Sequence, residues 1–284
     1  MKGIIIKVQS NTYLVRKDDG EKCECIAKGL FKFKKMSPLV GDIVEVSFDH
    51  VIEKIYPRKN EFERPPIANI DQLIIVLAAT NPKPDLMLLD KQIIMAEING
   101  VEPIVCINKI DLDAEYTNII ETYQNIGYQV ITTTAKNGLG IDKIAILLNN
   151  KVTAFAGNSG VGKSALTNTI FNEEVSPEGE ISEKLEKGKH TTKHVELYEF
   201  AKNSFLADTP GFSSFEVSGI SYKELDEYFV EFEPFKEECE YRGCTHIKEI
   251  NCGIKKAVNK RKIDKGRYER YCELYEKLKG EKKW

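Results

Sequence analysis

The sequence predicts a chain in three parts: an all-β barrel over residues 1–64, an α/β domain over 65–220 and a helical module over 221–284. Three observations carry that division. Five short strand-like runs open the chain, apolar strands alternate with amphipathic helices from about Asp71, and the stretch from Ser221 is helical and highly charged around a cysteine-rich loop. With 284 residues, 42% of them apolar and 30% charged, there is chain enough for one main core and one or two small modules.

The opening strands are expected at Gly3 to Val8, Thr12 to Arg16, Glu21 to Ala27, Asp42 to Phe48 and Val51 to Ile55. Five strands in so short a stretch fit a small barrel, of which the oligonucleotide-binding (OB) fold is the commonest five-stranded kind. Between the third and fourth runs lies Lys28-Gly29-Leu30-Phe31-Lys32-Phe33-Lys34-Lys35, basic residues interleaved with aromatics. Lysines on phosphates with Phe31 or Phe33 stacked on bases is one reading. Phenylalanines that fill the barrel core is the other, since alternation alone does not choose a face. Cys23 and Cys25, two apart on one strand face, read as buried small side chains. A linker follows in which Pro57, Pro65 and Pro66 discourage regular structure.

Strands are then expected at Leu73 to Ala78, Pro103 to Ile107, Gln129 to Thr133, Val152 to Ala156 and Ser204 to Ala207. Helices are expected at Asp85 to Ile98, near Glu115 to Asn125, at Ile141 to Leu148 and after Gly162. This rhythm indicates a largely parallel sheet covered on both faces. Leu86, Leu89, Ile93 and Ala96 follow helical spacing and are assigned to the core.

Charge is uneven. Residues 1–65 hold 13 basic and 10 acidic side chains, a net +3, and residues 255–284 hold 12 and 5, a net +7, which leaves −13 in the middle of a chain whose total is −3. Basic ends suggest terminal modules that face nucleic acid, although a solvated helix face explains the tail equally well. The apolar run Leu73 to Ala79 is far below the ~20 residues of a spanning helix, and Met1 to Lys7 is too short for a signal peptide. Seven cysteines without an export signal point to the reducing cytoplasm and away from a disulfide framework.

Gly157-Asn158-Ser159-Gly160-Val161-Gly162-Lys163-Ser164 follows an expected strand and, with Ala165, opens a helix. In that context the glycines let backbone N–H groups close around phosphates, Lys163 reaches the β- and γ-phosphates, and the Ser164 hydroxyl faces Mg²⁺. Asn108-Lys109-Ile110-Asp111 ends the strand Pro103 to Ile107. A carboxylate there accepts from the ring N–H and exocyclic amine of guanine, and adenine offers no matching donor pair, so Asp111 reads the base. Thr134-Ala135-Lys136 resembles the supporting loop of such a site, with the Ala135 N–H meeting the guanine oxygen.

Asp208-Thr209-Pro210-Gly211 resembles the second phosphate-sensing loop, with Asp208 holding Mg²⁺ through water and the Gly211 N–H facing the γ-phosphate. Between cradle and sensor, Gly188-Lys189-His190-Thr191-Thr192 occupies the place of a first switch, where Thr191 or Thr192 would reach Mg²⁺. Phe212 stands where Ras-like enzymes carry the glutamine that orients water, which implies slow intrinsic hydrolysis. His190 is the nearest candidate for that role, a plain solvent-facing histidine being the alternative. In Ras-like enzymes the phosphate cradle comes first. Here the base-reading loop precedes it, so the α/β part is expected to be a P-loop GTPase domain whose chain order has been circularly permuted.

Cys239-x4-Cys244-x-His246-x5-Cys252 supplies three thiolates and an imidazole, the soft set that four-coordinate structural Zn²⁺ prefers. The last part is therefore expected to be a helical zinc-binding module behind the OB-like barrel and the permuted GTPase domain. Cys106 and Cys272 read as buried thiols.

These motifs closely resemble those of the circularly permuted GTPases of small ribosomal subunit biogenesis. The resemblance covers essentially the whole chain, including Arg64-Pro65, Asn69-Ile70-Asp71, the His190-Thr191-Thr192 switch and the Cys/His loop. It implies a late assembly factor that binds GTP or GDP, docks on the small subunit and its rRNA, hydrolyses GTP when the subunit stimulates it, and leaves. It also implies a monomer away from membranes and a hydrolytic role for His190. The switch departs from the family in Lys189 and Lys193, where arginine and a third threonine are frequent. Two other classes share the cradle: an RNA-binding guanine-nucleotide switch with negligible turnover, and an ATP-dependent nucleic-acid enzyme. Asp111 argues against the second.

Overall fold

A computed structural model describes residues 1–29, 31, 37–112, 115–173, 175, 195–208 and 216–280. Strand β8 (Gln72–Ala78) is buried at every position, as a strand covered on both faces must be. Around it run β9 (Glu102–Asn108), β10 (Gln129–Thr132) and β11 (Val152–Ala156), with β13 (Ser204–Asp208) beyond β11, all pairing in parallel. Helices α1 (Leu86–Ile98), α2 (Thr117–Ile126), α3 (Ile141–Leu147) and α4 (Lys163–Phe171) connect these strands. The Asp85 carboxylate caps α1 by accepting from Leu88 N at 2.9 Å. Leu89, Ile93 and Ala96 enter the core as their spacing predicts, with Leu86 half-buried against it.

The barrel strands are β1 (Lys2–Gln9), β2 (Thr12–Lys17), β3 (Lys22–Ala27), β4 (Ile43–Val46) and β5 (Val51–Ile55). Pairings β1–β2, β2–β3, β3–β5, β5–β4 and β4–β1 close the ring. Phe31 is buried among Ile5, Val15, Val44 and Ile52, so this aromatic fills the core rather than facing a base; Phe33 lies outside the described residues. Cys23 and Cys25 share that core, as their spacing implies.

Two strand sets were not foreseen. In the linker, β6 (Glu61–Glu63) pairs with β7 (Pro66–Ala68) across residues 64 and 65, contrary to the expectation that the prolines prevent regular structure. Pro65 sits in the turn and Pro66 opens a strand, positions where a missing N–H costs nothing. Phe62 and Ile67 face each other and are buried, which drives the pairing. The other is β12 (Glu196–Ala201), antiparallel to β13 and, through Lys7 opposite Glu196, to β1. It welds barrel and α/β sheet into one 11-stranded sheet of order β10-β9-β8-β11-β13-β12-β1-β2-β3-β5-β4 among the described residues. The Arg16 guanidinium grips the Glu199 carboxylate with two hydrogen bonds across this seam.

Beyond residue 216 come 3₁₀ turns at Leu225–Tyr228 and Val230–Glu238, then α5 (Gly253–Asn259) and α6 (Lys265–Gly280). Phe229, Phe232, Tyr271, Leu274 and Tyr275 form their core, and Ile94 of α1 reaches into it. Cys106 is fully buried in β9; Cys272 is only half-buried, on a helix side that solvent still reaches. Among the described residues no helix is long and apolar enough to cross a membrane.

Candidate nucleotide site and metal cluster

Gly157 and Gly162 fix the phosphate loop between β11 and α4. Gly157 has φ +127°, and a Cβ there would stand 2.1 Å from the Val76 carbonyl oxygen; Gly162 has φ +100°, and its Cβ would stand 2.3 Å from Asn108 Nδ2. Only glycine allows both the left-handed backbone and the approach. The second contact is informative, because it joins the loop at 157–164 to a segment about fifty residues earlier in the chain.

Asn108 is buried at the end of β9 and acts as the hub. Its Nδ2 donates to Val161 O at 2.9 Å, while Oδ1 accepts from Thr133 Oγ1 at 3.1 Å and Ala135 N at 3.2 Å. Lys109 takes φ +62°, and its Nζ donates to Gly160 O at 2.7 Å and Asn81 O at 2.6 Å. Three loops, 80–84, 108–111 and 133–136, thus converge on the phosphate loop. The Ala135 N–H expected at a guanine oxygen is engaged with Asn108 here, so meeting a base requires it to trade that bond. Among the described residues Thr134 Oγ1 is buried without a hydrogen-bond partner, an unsatisfied group of the kind a ligand resolves. Asp111 is exposed on a 3₁₀ turn at Ile110–Leu112, and exposed Lys136 lines an open cleft of about 580 Å³ with Ala135, Asn168 and Thr169.

Lys163 starts α4, and its Nζ donates to Gly157 O and Asn158 O, both at 2.8 Å. Ser164 and Ala165 follow in the first turn, while Ser159 and Gly160 are exposed at the loop tip and Val161 is buried beneath it. This is a helix N-terminus behind a glycine-rich turn, the arrangement that collects phosphate oxygens. Asp208 ends β13, next but one to β8 across β11; its side chain is not described, and Gly211, His190, Thr191 and Thr192 lie outside the described residues.

The metal-ligating atoms of Cys239, Cys244, His246 and Cys252 all lie within 4.8 Å of one another. His246 Nδ1 is 3.7 Å from Cys239 Sγ and 3.3 Å from Cys252 Sγ, and the two sulfurs are 4.0 Å apart. A tetrahedron with Zn–S near 2.3 Å and Zn–N near 2.05 Å needs separations of about 3.8 Å between sulfurs and about 3.6 Å from sulfur to nitrogen. The three separations among Cys239, His246 and Cys252 fall within about 0.3 Å of those values and Cys244 Sγ lies within 4.8 Å of each, so the donor set fits the ion. Burial pushes the Cys244 thiol up to about 12 and raises Cys252, so a thiolate at either place calls for a cation. His246 Nε2 is buried without a hydrogen bond among the described residues, 3.8 Å from Asp226 Oδ2. Burial raises the Asp226 carboxyl, but the nearby His246 ring and the Lys236 ammonium, 3.0 Å away, bring it below its usual value. Asp226 carries no motif signal, and neither does Asp90, a fully buried carboxylate of α1 that accepts from Arg267, Arg270 and Tyr123. A charge beside the apolar stripe of α1 was the available clue.

Parallel strands, the glycine cradle and the loops at 108–111 and 133–136 that meet it from upstream in the chain define a circularly permuted P-loop GTPase fold behind an OB-like barrel. Family models agree: one described as the RsgA GTPase matches residues 55–218, and one described as the RsgA N-terminal domain matches residues 2–53. The small ribosomal subunit biogenesis GTPase RsgA of Ruminiclostridium cellulolyticum is 41% identical over 285 residues, covering 98% of this chain and 93% of that protein. Its namesake in Caldanaerobacter subterraneus subsp. tengcongensis is 42% identical over 289 residues, covering 100% and 97%. YjeQ from Thermotoga maritima superposes with a TM-score of 0.86 at 33% identity over 99% of each chain. YloQ, described as a circularly permuted GTPase, does so at 0.82 and 33% over 100% and 96%. The chain belongs to the RsgA GTPase family.

Proposed function

We propose that this protein is a GTP hydrolase of small ribosomal subunit maturation, which docks on the subunit and its rRNA, cleaves GTP to GDP and phosphate when the subunit stimulates it, and leaves. The observation that carries the reading is the contact of Asn108 with Val161 and Gly162, which puts the base-reading segment beside the phosphate loop although the chain order is reversed. The relatives' name, small ribosomal subunit biogenesis GTPase, supports the partner.

In this reading Asp111 accepts from the guanine edge, and Lys109 and Thr134 to Lys136 flank the base. The N–H groups of residues 157–165 hold the phosphates, and Lys163 exchanges its carbonyl partners for β- and γ-oxygens. Ser164, Asp208 and one of Thr191 and Thr192 hold Mg²⁺, which neutralises charge that builds on the phosphates. Gly211 contacts the γ-phosphate, and His190 positions the attacking water. Cys239, Cys244, His246 and Cys252 hold one Zn²⁺ that folds the C-terminal module. We assign the barrel to residues 1–64, the GTPase domain to 65–220 and the zinc module to 221–284, in a monomeric cytoplasmic protein. GTP holds both flanking modules in the docking arrangement. The seam supports this, since β12 leaves the first switch and pairs at once with β1 of the barrel.

Co-sedimentation with purified subunits tests the proposal. Binding to the small subunit with a non-hydrolysable GTP analogue, and release with GDP, is expected. Equal binding to both subunits in both states would refute it.

A further inference from the structure

The metal cluster is carried by a loop whose shape needs explaining. His246 sits at φ +61°, the left-handed region that a side chain other than glycine rarely takes. Something must hold it there. One carboxylate gathers the backbone on both sides: Glu249 Oε1 accepts from Thr245 N at 3.0 Å and Thr245 Oγ1 at 2.9 Å, and Oε2 accepts from Ile247 N and Lys248 N, both at 3.1 Å. From the other side, α6 fixes the loop carbonyls, Tyr271 OH donating to Thr245 O at 2.8 Å and Tyr268 OH to His246 O at 2.7 Å.

We propose that Glu249 is the positioning residue of this metal site: not a ligand, but the anion around which loop 244–249 folds so that His246 Nδ1 faces the three sulfurs. The inference rests on the zinc reading given above. Both Glu249 oxygens are occupied by loop donors, which leaves none directed at a metal, and Glu249 does not belong to the group of ligand atoms within 4.8 Å of one another. Its carboxyl is held near 2 although burial alone would raise it, because the N–H of Thr245 and its neighbours favour the anion. A loop bent in advance does not have to be ordered at the moment the ion binds, and outer partners of this kind typically account for 10–100-fold in metal affinity.

The test is zinc affinity of the full chain, measured by competition with a chromophoric chelator. Glu249→Gln keeps size but offers one acceptor where four donors wait, and is expected to raise the zinc Kd 10–100-fold. The Co²⁺-loaded variant at saturation should keep the wild-type thiolate charge-transfer spectrum, since all four ligands remain. Thr245→Val removes only the Oγ1 donor and should raise Kd several-fold; it serves if Glu249→Gln does not fold. An unchanged Kd in both variants overturns the proposal, as does an altered Co²⁺ spectrum, which would make Glu249 a ligand. Wild-type protein that binds zinc no tighter than Cys252→Ser overturns the metal reading itself and the role of Glu249 with it.

Discussion

Removing the Asp90 carboxylate should loosen the C-terminal helices from the α/β sheet domain. Asp90 and Arg267 are both inaccessible to solvent, and the guanidinium also donates from Nε to Glu231 at 2.6 Å and lies 4.6 Å from the Phe229 ring centre. Burial alone would lower the Arg267 pKa, yet Asp90 and Glu231 carry it well above its ordinary value. Asp90→Ala leaves that cation facing Glu231 alone and strips the acceptor from Tyr123 and Arg270. Breaking a buried pair from one side costs about 3–5 kcal/mol, which at about 2–4 °C per kcal/mol corresponds to a fall of roughly 6–20 °C in Tm. Replacing both partners, Asp90→Leu with Arg267→Met, removes the stranded charge and should recover most of the loss. Urea denaturation of Asp90→Ala, of the single variants Asp90→Leu and Arg267→Met and of the double variant reads these free energies. A single-variant loss below about 1 kcal/mol, or a double variant worse than either single one, would refute the reasoning.

Other consequences are as direct. Asp111→Asn should weaken GTP binding by roughly 100-fold or more and favour xanthosine triphosphate, whose second carbonyl accepts from the new amide; fluorescent-nucleotide titration checks this, and retained GTP preference contradicts it. Gly162→Ala should push Asn108 off Val161 and lower GDP affinity at least about tenfold, since the added Cβ would lie 2.3 Å from Asn108 Nδ2; isothermal calorimetry measures it. Arg16→Leu should cost about 1.5–3 kcal/mol by stranding Glu199 at the barrel seam, seen as a lower urea midpoint. Asp226→Asn should weaken zinc binding by about tenfold, because the carboxylate 3.8 Å from His246 Nε2 steadies the ring; chelator competition reads it, and an unchanged Kd contradicts it.

What could be seen in the sequence was whatever depends on local spacing. The phosphate loop shows itself because glycine at 157 and 162 answers a steric demand that no other residue meets, and the Cys/His cluster because its ligands fall within fourteen residues. The parallel strands declare themselves as apolar runs. Strand β12 did not, because Glu196, Tyr198 and Glu199 are only half-buried at the seam with the barrel and present no clean alternation. The β6–β7 pair hid behind its prolines. The place of Phe31 in the barrel core is decided by tertiary packing against Ile5, Val15, Val44 and Ile52, since the peptide pattern is the same for either face. Asp90, Asp226 and Glu249 act through partners as far as 180 residues away or through backbone donors, and neither relation leaves a periodic trace.

Dependence of GTP turnover on the small subunit is the most direct test of the proposed function. GTP hydrolysis by the full chain should be slow alone, should rise by orders of magnitude with purified small subunits, and should stay at its basal rate with large ones. Equal stimulation by both subunits, or none by either, would contradict it.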